Sequence, residues 1–139
     1  MYHYTVLSNY EKIKKEGLIP YRCQKTEINI LFESGRAPDL IFLFEERLTG
    51  IAEFGSLLWQ AQKGDMVIIG LKITKKIKEN CKLFTSIGER VDVSHYGSIG
   101  TIIYHDDVPI ITTIRAIKPR YIKLDKIWDL RLWPNCEVK

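Results

Sequence analysis

The side chains best suited to move protons near neutral pH are three histidines, His3, His95 and His105, in a chain of 139 residues. Of these, His3 has the most organised setting. It lies in Tyr2-His3-Tyr4-Thr5-Val6-Leu7, an aromatic and β-branched run that reads as a strand. The two-residue period of a strand puts His3 and Thr5 on one face and Tyr4 on the other. An imidazole and a hydroxyl are thereby presented together. Acid–base chemistry of the metal-independent ribonuclease kind, with lysines as partners, is one reading of the histidines, though their scatter along the chain assembles no site by itself. Cys23, Cys81 and Cys136 lack the C-x-x-C spacing of a metal or redox site and read as buried or incidental thiols. The chain contains no P-loop, G-x-G-x-x-G, H-E-x-x-H or G-x-S-x-G motif.

The next elements must position that triplet. Ser8-Asn9-Tyr10-Glu11-Lys12-Ile13-Lys14-Lys15-Glu16-Gly17-Leu18-Ile19-Pro20 reads as a short helix. Ser8 and Glu11 stand at capping-box spacing. Tyr10, Ile13 and Leu18 or Ile19 supply an apolar stripe. Gly17 falls where a left-handed residue ends a helix, and Pro20 forbids continuation.

Residues 32–39 form a polar loop with Gly35 and Pro38, followed by an apolar run at 40–44 that reads as a buried central strand. Helical periodicity over 45–62 predicts a second helix, with Gly55 on its apolar face for close approach to a strand. Residues 66–73 form the clearest strand. Short strands are expected at 81–85, 99–105, 110–117 and 121–124, with a loop at 86–98. A closing helical turn is expected at 127–133, its Trp128 and Trp133 packed. Early helices and late strands argue for an α+β fold with a mostly antiparallel sheet.

The opening resembles the first motif of ADP-ribosyltransferase-like domains, in which a His-(Gly/Tyr)-Thr strand leads into a helix ending in Gly-Leu. The segments 41–55, 64–73 and 100–119 look like later parts of the same family. The resemblance implies one domain over 1–139, a split two-sheet fold and an NAD cleft. It implies that His3 and Thr5 hold the nicotinamide ribose and amide, with Tyr4 turned into the packing. Arg22, just past the first helix, is the candidate for the pyrophosphate, and Tyr96 the loop aromatic for stacking. Transfer of ADP-ribose passes through an oxocarbenium-like ion that a carboxylate must stabilise. The family's usual glutamate is missing: Thr101 stands at its place. Glu89 is the first candidate for a displaced catalytic carboxylate, on a loop with Gly88, Gly97 and Gly100; Asp92, Asp106 and Asp107 are the others.

The resemblance thus points to an NAD-dependent ADP-ribosyltransferase acting on a nucleic acid or protein. A non-catalytic nucleotide- or nucleic-acid-binding module is the alternative. A net charge of +4, from 21 basic and 17 acidic residues, permits an anionic partner without requiring one. No apolar run is long enough to span a bilayer. No basic and apolar leader stands before the first strand, which predicts a cytoplasmic protein without membrane attachment.

Overall fold

The computed structural model describes residues 1–22, 36, 39–75, 82–84, 99–103, 109–113 and 115–138. They form an α+β protein whose ladders are mostly antiparallel. The chain groups into two compact units, one of Met1–Gly17, Glu46–Lys75 and Lys118–Lys139, the other of Leu18–Glu45 and Lys76–Ile117.

In the first unit, strand β1 (Tyr2–Val6) runs straight into helix α1 (Leu7–Glu16). The helix starts one residue earlier than its sequence suggests. Its N-cap is Val6, with no side-chain cap bond, so the Ser8–Glu11 capping box does not form. Gly17 ends the helix as expected, at φ 81°, with its N–H donating to the Ile13 carbonyl. Lys14 and Lys15 in the last turn complement the helix dipole.

The expected helix over 45–62 is broken. A 3₁₀ turn (Ile51–Phe54) is followed by a short helix α2 (Ser56–Gln62). Gly55 separates them at φ 54°. A Cβ there would meet nothing within 4 Å, so glycine serves the backbone conformation rather than a close approach.

Six further strands follow in chain order: β2 (Ile41–Phe44), β3 (Val67–Ile73), β4 (Lys82–Phe84), β5 (Ile99–Ile103), β6 (Pro109–Thr113) and β7 (Ile122–Asp129). In the first unit β3 pairs antiparallel with β1 on one side and β7 on the other. Ile68, Ile69, Leu71 and Ile73 of β3 are buried. The closing helical turn expected at 127–133 is confined to a 3₁₀ turn at Leu130–Leu132, because β7 runs eight residues and takes in 127–129. Pairing with β3 explains the extension, because Asp129 lies opposite Val67. Trp128 packs in the core at 3% exposure, whereas Trp133 is 69% exposed and unpacked.

In the second unit β6 pairs antiparallel with β2 and β5, and β4 lies parallel to β5. Ile41 and Leu43 of β2 are fully buried, and Leu40 extends the strand through a bridge to Tyr21.

Candidate functional site

β1 carries the candidate residues on both of its faces. His3 lies opposite Leu71 and Thr5 opposite Ile69, each partner being buried aliphatic. His3 is 5% exposed and Thr5 4%, and they are the buried polar side chains among the described residues. Both side chains of the pair expected to line the principal polar cleft are thus buried. Leu71 and Ile69 stand beside the pair on the same face of the sheet.

The other face holds Tyr4, turned into the core as expected. Its ring lies 5.3 Å from Phe54 and 6.0 Å from Trp128, and those two stand 5.0 Å apart nearly edge to face. Gly70, opposite Tyr4, makes room for them. A Cβ at Gly70 would stand 3.0 Å from Trp128 Cζ3 and 3.1 Å from Tyr4 Cε1. The Tyr4 hydroxyl accepts a hydrogen bond of 2.7 Å from the Leu48 N–H. Burial pushes this phenol up to about 12; the Leu48 N–H and Arg47 oppose the shift, and Asp125 adds to it.

Beside this cluster β7 has a β-bulge. Pairing passes from Gly70–Lys126 to Leu71–Leu124, leaving Asp125 as the extra residue. Its carboxylate accepts from Nε and Nη2 of Arg47, both at 2.8 Å. The guanidinium also lies over the Tyr2 ring, 5.1 Å from its centre. The hydrogen bond to Asp125 raises the Arg47 pKa. Sequence reasoning missed this pair. Its members are 78 residues apart, and the only local signal is an acid next to a lysine in a β-rich run.

Arg22 is exposed and belongs to the second unit. Thr101 lies on β5 opposite Ile111. Glu89 and Tyr96 lie outside the described residues, as do Asp92, Asp106 and Asp107. No cluster of His, Cys, Asp and Glu among the described residues could hold a metal ion. No described helix is long and apolar enough to cross a membrane. No family model, curated protein or solved structure matches the chain.

Proposed function

We propose that the chain is an ADP-ribosyltransferase-like domain that takes NAD at the His3–Thr5 face of its first strand and transfers ADP-ribose to a nucleic acid or protein in the cytoplasm. The split two-sheet arrangement of that family belongs to the same proposal. The observation that supports it is that β1 is a strand presenting an imidazole and a hydroxyl on one face, in the order of the His-(Gly/Tyr)-Thr strand it resembles. With the pair enclosed in the free protein, NAD binding requires this face to open. A second reading, a nucleotide-binding module without transfer, is favoured by Thr101 at the family's glutamate position.

A thermal-shift titration tests binding. NAD at 100 times its Kd stabilises the folded state by about 2.7 kcal/mol, or about 9 °C for a chain of this size. Thr5→Val and His3→Asn remove that shift while leaving circular dichroism unchanged. No shift at millimolar NAD refutes NAD binding. Glu89→Gln separates the two readings: under transfer through Glu89 it lowers NAD turnover by orders of magnitude and leaves the shift intact. If turnover is unchanged, the carboxylate is another one. If the intact chain turns over no NAD, the module reading stands.

A further inference from the structure

A second feature of the first unit lies where β3 ends and β7 begins. Lys72 and Lys123 stand directly opposite each other in the antiparallel ladder, so their side chains share a face. Two positions along, the Thr74 N–H and hydroxyl both donate to the Tyr121 carbonyl, at 2.8 and 3.2 Å, extending the register to that pair. The Tyr121 ring then gathers two more cations. Lys75 Nζ lies 5.5 Å from its centre and the Arg120 guanidinium 4.8 Å. Arg120 also donates to the Tyr121 hydroxyl at 3.0 Å. Lys118 caps the start of the 3₁₀ turn Pro119–Tyr121 that leads into β7. These five cations are exposed, and none of them forms an ion pair with a carboxylate among the described residues.

Elsewhere in the unit five basic residues are neutralised locally, Lys12 by Glu16, Lys14 by Glu11, Lys126 by Glu137, Arg131 by Asp129 and Arg47 by Asp125, while Lys15 and Lys63 stand singly. Two lysines set opposite each other repel, and here no described acid offsets them. Such a concentration fits a partner that brings its own negative charge. The cations are strung out, Lys72 and Lys123 standing three residues or about 10 Å along the chain from Lys75 and Arg120, which suits a chain of phosphates better than a single phosphate. A tyrosine between the cations fits the pattern of basic grooves that follow a nucleic acid backbone.

We propose that the surface formed by Lys72, Lys75, Lys118, Arg120, Tyr121 and Lys123 binds the phosphodiester backbone of a nucleic acid. This deepens the acceptor half of the proposed function, but the binding it describes needs no NAD. Its test is therefore independent of the NAD titration.

The experiment measures fluorescence anisotropy of labelled 20-nucleotide single strands and duplexes with the full chain, without NAD. Four backbone contacts to a single strand imply about a 50-fold loss of affinity when monovalent salt rises from 50 to 200 mM. Lys72→Glu is the decisive variant. It turns a repulsive cross-strand pair into an attractive one, so thermal stability holds or rises while nucleic acid affinity falls at least tenfold. Arg120→Gln lowers affinity severalfold and flattens the salt dependence. Lys12→Glu, a charge reversal on α1 outside the patch, leaves affinity within about twofold. Absence of oligonucleotide binding at 50 mM salt overturns the proposal. So does binding that Lys72→Glu leaves intact, or binding to phosphatidylserine vesicles in preference to oligonucleotides.

Discussion

Removing one oxygen from the core, by Tyr4→Phe, tests how the first unit is held together. The aromatic contacts with Phe54 and Trp128 survive the change, because the ring stays. What is lost is the acceptor for the Leu48 N–H, a buried bond of 2.7 Å. A buried donor left without its acceptor costs about 1–3 kcal/mol. For 139 residues the unfolding entropy is about 0.29 kcal/mol/K, so the melting temperature falls by about 3–10 °C. The pH dependence supplies a second readout. The folded-state pKa of this phenol, about 12, lies above the ordinary value of 10.0. The folded state therefore holds the proton more tightly, and stability is lost as pH rises from about 10 to about 12. The gap between those two values corresponds to at most about 2.7 kcal/mol, reduced to about 1–2 kcal/mol where water reaches the hydroxyl. Tyr4→Phe lacks a titrating group, so its stability curve is flatter than the wild type's over that window. The assay is chemical denaturation at pH 8 and at intervals up to 11.5. Equal stability of the two proteins at pH 8, together with parallel alkaline slopes, refutes the account.

Two other substitutions probe the same unit. Gly70→Ala drives a methyl against Trp128 and Tyr4 at about 3 Å; overpacking of this kind costs about 1–3 kcal/mol, read as a lower denaturation midpoint with altered near-ultraviolet circular dichroism. An unchanged aromatic signal is incompatible with that packing. Arg47→Ala strips the bulge carboxylate of its bidentate partner and lowers stability, whereas Arg47→Ala combined with Asp125→Asn recovers part of the loss, as a double-mutant cycle in thermal melts reads out. Strictly additive effects would show that the two side chains do not act as a pair.

Much of the local architecture was legible because it depends on near neighbours. The alternation of Tyr2 to Val6 is a strand in the structure, Gly17 terminates α1, and the apolar run at 40–44 yields a strand at Ile41–Phe44 whose Ile41 and Leu43 are buried while Phe42 and Phe44 are half-buried. Failures came where long-range pairing or backbone geometry overrode a local pattern. The periodicity of 45–62 is genuine, but Gly55 at a positive φ divides it, and a helical wheel registers only which side of a residue is apolar. Residues 127–129 alternate weakly on their own and become strand because Val67, Ile68 and Ile69 lie opposite them. Ser8 has a capping partner in sequence, yet α1 begins directly from β1 at Val6, leaving Ser8 inside the helix.

The candidate site divides along the same line. That His3 and Thr5 share a face follows from the two-residue period of one strand and needs no other part of the chain. Whether that face meets water depends on what packs over the sheet, which the strand's own sequence does not record; both side chains are buried. The pairing of Arg47 with Asp125 depends on a bulge, an insertion of one residue in a ladder, for which the sequence of β7 carries no mark. Charge behaves differently again. Lys72 and Lys123 look ordinary in their own segments, and only the register of β3 with β7 makes them neighbours. A folded protein tolerates opposed lysines at little cost when water screens them. Their repulsion becomes informative because five cations gather here without an acid partner among the described residues, where the unit's other unpaired lysines, Lys15 and Lys63, stand singly. For the same reason Lys72→Glu discriminates well: a patch without function gains stability from it and loses nothing, whereas a patch that holds phosphates gains stability and loses its ligand.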